Sequence, residues 1–111
     1  MFSCDIKPDE RRVLVTFTVS DPGRTGQEVY VVGDFNDWDP CATPMLNDAG
    51  RHTVTVALWP GRRYRYRYLS SHDGWFNDSD GWHEYNEFGQ QNCVVDLAII
   101  DVDGLRRRLA G

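Results

Sequence analysis

Period-two alternation of apolar and polar residues runs through most of this chain and leaves little room for anything but β-structure. Val13, Val15, Phe17 and Val19 alternate with Leu14, Thr16, Thr18 and Ser20. From His52 to Leu58 the pattern returns, with Val54, Val56 and Leu58 on one face and Thr53, Thr55 and Ala57 on the other. Arg63, Arg65 and Arg67 alternate with Tyr64, Tyr66 and Tyr68. Successive side chains of a strand point to opposite faces, so that strand has a basic side and an aromatic side, and the three tyrosines are expected in the core.

The stretches between the alternating segments carry turn chemistry. Asp21-Pro22-Gly23, Asn47-Asp48-Ala49-Gly50 and Ser71-His72-Asp73-Gly74 are Gly, Pro and Asx clusters of the kind that reverse a chain. Trp59-Pro60-Gly61 is expected to close a hairpin. Val29-Tyr30-Val31-Val32 is nearly all apolar, as for a strand central in its sheet, and Met45-Leu46 suits a brief edge strand. Residues 77–91 are polar and irregular, and a loop of that length in a compact domain is more often functional than not. Cys93 to Ile100 reads as the last strand. Six or seven short strands without a convincing helix predict an all-β antiparallel sandwich, with a barrel as second choice. The 111 residues make one domain, with its core over about 12–98 and a basic tail at 104–111.

Charge narrows the function. The net charge of −5 opposes a phosphate-backbone partner and an anionic membrane surface. The Arg-Tyr run could suggest a stacking groove for nucleic acid, but alternation sends the two residue types to opposite faces. No apolar run approaches the ~20 residues of a membrane span, and Met1 to Asp5 lacks signal-peptide character, so a cytoplasmic protein is expected. Cys4, Cys41 and Cys93 are an odd count without C-x-x-C spacing, which predicts reduced thiols and no zinc knuckle. His72, Asp73, Asp78, Asp80, His83 and Glu84 match no metal-ligand spacing, so neither metal nor cofactor is expected. There is no nucleophile elbow, phosphate loop or dinucleotide fingerprint, and an enzyme is not expected.

Three segments point to a ligand. Val29 to Trp38 (VYVVGDFNDW) delivers a Trp into a loop of Asn and Asp. An indole with amides and carboxylates at its rim suits a sugar, whose apolar ring face lies on the aromatic while its hydroxyls bond the rim. Trp38 capping the sandwich end fits the same residues equally well. Tyr66 to Trp75 places an Arg near a second Trp, and Phe88 to Val95 brings Gln90, Gln91 and Asn92 in a row, side chains able to donate and accept at once.

Together these segments resemble the glycogen-binding or isoamylase amino-terminal domains of carbohydrate-binding module family 48, found in glycogen branching enzymes and in the β subunit of AMP-activated protein kinase. The resemblance covers roughly residues 12–98 and rests most on the strand-Gly-x-Phe-Asn-x-Trp element. It implies an immunoglobulin-like β-sandwich of the early-set type and an α-glucan ligand such as glycogen, starch or a maltooligosaccharide. It also implies a site in which Trp38 and Trp75 are platforms, Arg67 contacts hydroxyls, and Phe88, Gln90 and Asn92 complete the surface. Departures are a longer hairpin at Ser70-Ser71-His72, Gln90 where family members tend to have Thr, and an unusual 77–87 loop with Trp82, His83 and Tyr85. The alternative is a docking domain that binds no sugar and attaches to a glycogen-metabolising enzyme, motivated by Arg106-Arg107-Arg108 and exposed strand edges. A monomer or weak homodimer is expected in either case.

Overall fold

The computed structural model describes residues 1–7, 11–20, 24, 26–79 and 81–98. The predicted tail at 104–111 and residues 99–100 of the last predicted strand lie outside the described residues; within them that strand runs Gln91–Asp96, starting earlier than Cys93 and ending before Leu97. Among the described residues nine strands follow in order: β1 (Phe2–Lys7), β2 (Arg12–Val19), β3 (Val29–Gly33), β4 (Leu46–Asp48), β5 (Arg51–Leu58), β6 (Arg63–Ser70), β7 (Gly74–Phe76), β8 (Trp82–Tyr85) and β9 (Gln91–Asp96). They build two antiparallel sheets, β1-β2-β5-β4 and β3-β6-β9-β8, with β7 added to β6. The sheets pack face to face as the expected sandwich, and no α-helix occurs among the described residues.

The core is the product of the alternation. Val13, Val15, Phe17 and Val19 of β2 meet Tyr64, Tyr66 and Tyr68 of β6, Val29 and Val31 of β3, and Cys93 and Val95 of β9. Each such large apolar side chain contributes about 1.5–3 kcal/mol when fully buried. Phe17 lies edge-on to Tyr66 at 4.9 Å between ring centroids and stacks on Phe35 at 5.6 Å. The phenol hydroxyls reach partners at the margin. Tyr66 and Tyr68 both donate to Asp78 Oδ2, at 2.5 and 3.0 Å, and Tyr64 Oη accepts from the Trp59 N–H at 3.1 Å. Three buried hydroxyls are thereby satisfied, which burial requires.

Four sequence expectations need correcting. β3 is not central: it forms an edge of its sheet. Its apolar run arises because Val32, on the outer face, is as fully buried as Val29 and Val31 on the inner one. The free edge is covered by residues 43–45, where Val31 N–H donates to Thr43 O and Met45 N–H to Val29 O. Trp59-Pro60-Gly61 does not close a hairpin, since β5 and β6 belong to different sheets; it is a corner, and Pro-Gly chemistry serves either geometry. The 77–91 stretch is not one loop, because β8 pairs with β9 from Trp82↔Val94 to Tyr85↔Gln91. The brief edge strand is Leu46–Asp48, with Met45 in the segment before it, and β1 is an additional strand paired with β2. The turn at 47–50 is as expected: Ala49 (φ 52°) and Gly50 (φ 84°) are both left-handed, the two-residue loop that matches strand twist.

Burial, and next the mutual interaction of the two phenols for Tyr66 and the charge of Asp78 for Tyr68, pushes both tyrosines far above their ordinary range. The folded state therefore holds these protons more tightly than the unfolded chain. Stability from this source is complete below about pH 10 and declines as pH rises beyond it. Denaturation midpoints should fall above about pH 10, and ultraviolet titration should show two phenols ionising only as the protein unfolds. Ionisation of all five tyrosines in the folded state would contradict this.

Candidate functional site

Gly33, the last residue of β3, sets the position of everything that follows it. A Cβ built there would lie 2.3 Å from the Arg65 carbonyl oxygen and 3.0 Å from the Tyr66 Cα. Only glycine lets β3 come this close to β6 before the chain turns into a single 3-10 turn, Asp34–Asn36. Phe35 points into the sandwich against Phe17 and Tyr64. Asn36 fastens the turn: its Oδ1 accepts from Gly33 N–H (3.0 Å), and its Nδ2 donates to Val31 O (3.0 Å) and Thr43 Oγ1 (2.9 Å). Asp37 and Trp38 then take left-handed backbone angles, φ 56° and 57°. That conformation is uncommon for a bulky residue and persists only where the surroundings hold it.

Asp34 is what holds it. Its Oδ1 accepts from the Trp38 indole N–H at 2.9 Å, and its Oδ2 accepts from the Arg65 backbone N–H at 2.7 Å. The Arg65 guanidinium adds contacts at 3.3 and 3.4 Å. Partial burial alone would raise the Asp34 carboxyl, but the Arg65 and Trp38 donors and the Arg65 charge outweigh it and hold it below the ordinary aspartate value of 3.8.

The second indole comes from the β6–β7 hairpin. Ser70 Oγ accepts from the His72 and Asp73 N–H groups, both at 3.2 Å, and Gly74 is left-handed at φ 74°. The turn sets Trp75 opposite Leu69, on the outer face of the sheet, 45% exposed. Arg67 lies on that face too, its guanidinium carbon 5.6 Å from the Trp75 ring centroid. Arg67 Nε donates to Asn77 Oδ1 (3.0 Å) and Nη1 to Gln90 Oε1 (3.2 Å), so its direct hydrogen-bond partners are neutral amides.

The third contribution is the β8–β9 connection. Asn86 Oδ1 accepts from the N–H groups of Phe88 (2.9 Å) and Gln90 (3.0 Å), and Asn86 N–H donates to Gln90 O at 2.7 Å. This tied loop holds out Phe88, which is 80% exposed, and starts β9 at Gln91. Asn92 is only 3% exposed, and its Oδ1 has no hydrogen-bond partner among the described residues. A buried acceptor left unpaired costs about 1–3 kcal/mol.

The six residues singled out from the sequence, Trp38, Arg67, Trp75, Phe88, Gln90 and Asn92, all line one open cavity of about 480 Å³ on the outer face of the β3-β6-β9-β8 sheet. Neither Trp38 nor Trp75 belongs to the core cluster. The cavity also takes in Arg65, Asn86 and Glu87, which sequence reasoning missed, as it missed Asp34 behind Trp38 and Asn77 behind Arg67. Asn86 could have been found from the Asn-Glu-Phe-Gly turn signature; Arg65 was hidden because only one arginine of the alternating row was singled out. Among the described residues, no group of three His, Cys, Asp or Glu side chains could hold a metal. The arrangement can place flat apolar rings on two indoles and satisfy ring hydroxyls from amides and a guanidinium at the rim.

Two substitutions test the framework. Gly33→Ala should cost on the order of 3 kcal/mol in denaturant unfolding, since the added methyl meets backbone that cannot yield. Asp34→Ala should lower the melting temperature by a constant amount above about pH 5. A depressed carboxylate stabilises above its unfolded pKa, so the gap between the two proteins should shrink as pH falls below 3.8 and through the lower folded value. A gap that stays constant down to about pH 2 would remove the assigned role of the Asp34 charge.

A search of curated protein sequences finds no match. The family model described as the glycogen recognition site of AMP-activated protein kinase matches residues 16–103, from β2 to beyond the last described strand, and so includes every residue lining the cavity. A match over most of the chain, on the predicted fold, shows that the chain belongs to this glycogen-recognition family of carbohydrate-binding modules.

Proposed function

We propose that this protein is a non-catalytic module that binds α-glucan chains (glycogen, starch or maltooligosaccharides) in the cavity between Trp38 and Trp75. In this reading the two indoles carry successive glucose units, Arg67, Gln90 and Asn92 bond their hydroxyls, and Phe88 closes one side. The observation that carries it is convergence: residues from three separate turns meet in one open cavity. Glu87 is the cavity's one carboxylic acid among the lining residues, whereas glycoside hydrolysis ordinarily uses two flanking carboxyls, which favours binding without chemistry. The docking alternative has less support, because it gives no role to the cavity.

An open site leaves many ligand hydroxyls solvated, so binding should be weak, with a Kd of about 0.1–1 mM, near −5 kcal/mol. Titration calorimetry with maltoheptaose or β-cyclodextrin should detect it. Trp38→Ala and Trp75→Ala should each weaken it about tenfold or more, the loss expected for a central aromatic anchor. Folded protein that evolves no heat at millimolar ligand would overturn the reading, and reducing-sugar release from glycogen by clean protein would overturn its non-catalytic part.

A further inference from the structure

We propose that Trp82 is an additional α-glucan subsite, taking the continuation of a chain too long for the Trp38–Trp75 cavity. The inference rests on the cavity being a glucan site and adds to it a residue that sets chain-length preference.

Strand register puts Trp82 on the same surface as the cavity. Trp82 is opposite Val94 in the β8–β9 pairing, and Val94 is opposite Arg65 in the β9–β6 pairing. Directly opposed residues share a sheet face, so Trp82 lies on the outer face with Arg65, about 10 Å away across two strand spacings. Glu84 is opposite Asn92, another cavity residue, and Trp82 stands two residues before Glu84 on that face, about 7 Å along the strand. Between Trp82 and Arg65 on that face stands Val94, itself buried.

The indole is also prepared for a ligand in the same manner as the one already in the cavity. Trp82 is 46% exposed, against 45% for Trp75. Arg63 lays its guanidinium over the Trp82 ring at 4.1 Å, as Arg67 does over Trp75 at 5.6 Å. Glu84 holds Arg63 in an ion pair, as Gln90 holds Arg67 in a hydrogen bond. Two arginines of one strand, two positions either side of Arg65, thus prop two half-exposed indoles on one surface. A cation over one ring face fixes the side chain, and a fixed aromatic loses little entropy when a flat apolar ligand settles on it. The carboxylate and guanidinium beside it offer an acceptor and donors for sugar hydroxyls. A cavity of about 480 Å³ is near the lower end of ligand sites, roughly 300–1,000 Å³, so a long polymer must leave it and run along the neighbouring surface.

Titration calorimetry on the full chain with maltotriose and with maltodecaose tests this. Trp82→Ala should leave the maltotriose Kd within about twofold and weaken maltodecaose about five- to tenfold, the loss of one aromatic anchor. Trp82→Phe should recover most of the loss, and circular dichroism should show both variants folded. Equal weakening of both ligands, or of neither, overturns the subsite while leaving the cavity standing. If wild-type protein binds neither ligand, the cavity reading fails first and the subsite with it.

Discussion

The close passage of β3 over β6 at Gly33 is the contact on which the rest of the binding face depends. With nothing but hydrogen on the Gly33 Cα, the backbone sits against the Arg65 carbonyl and the Tyr66 Cα. From there the next residue, Asp34, can reach the Arg65 N–H at 2.7 Å. The same carboxylate then receives the Trp38 indole N–H. One missing methyl thus translates into the placement of an indole five residues later. The two consecutive left-handed residues, Asp37 and Trp38, are affordable because Asn36 and Asp34 fix the turn before and the ring after them.

β6 joins the stability of the fold to its surface chemistry. Its inner residues, Tyr64, Tyr66 and Tyr68, fill the space between the sheets, and the hydroxyls of Tyr66 and Tyr68 both rest on the Asp78 carboxylate. Its outer residues, Arg63, Arg65 and Arg67, each engage a different partner: Trp82 with Glu84, Asp34, and Trp75 with Gln90. Exposed ion pairs contribute little to stability, about 0–1 kcal/mol. Their value here is geometric, since each guanidinium restrains a side chain that would otherwise rotate in solvent.

Period two made the fold legible from the sequence, because alternation is a direct consequence of strand geometry and needs no tertiary context. The three core tyrosines and the β2 valines followed from it. Placement of a strand within its sheet did not. Val32 is buried on the outer face and so makes β3 look central while it lies at the edge. β8 escaped because Trp82, His83, Glu84 and Tyr85 carry no apolar alternation; that strand is held by pairing with β9 and by His83 Nε2 at 2.8 Å from the Asp78 carbonyl oxygen. The six candidate ligand contacts were legible through family resemblance, and the structure brings all six to one cavity. The residues behind them, Asp34 and Asn77, were not, because a supporting role depends on which side chain lies opposite, and a single sequence does not record that.

A shallow face with restrained aromatics suits a polymer better than a small sugar. On the proposed reading, each glucose unit gains one stacking surface and a few hydrogen bonds while most of its hydroxyls stay in water, so a single contact is weak. A polymer changes the arithmetic. Once one segment is bound, its neighbours are held at an effective concentration that can reach the millimolar range, and further contacts add avidity without new chemistry. Part of the cost of ordering the protein side is already met in the free state, because the side chains of Trp38 and Arg67 are each held by hydrogen bonds to partners other than the ligand. Pre-organisation of this kind slows dissociation more than it speeds encounter. A module so built would stay attached to a glucan surface through many weak, independently reversible contacts, and it would release free maltooligosaccharides readily.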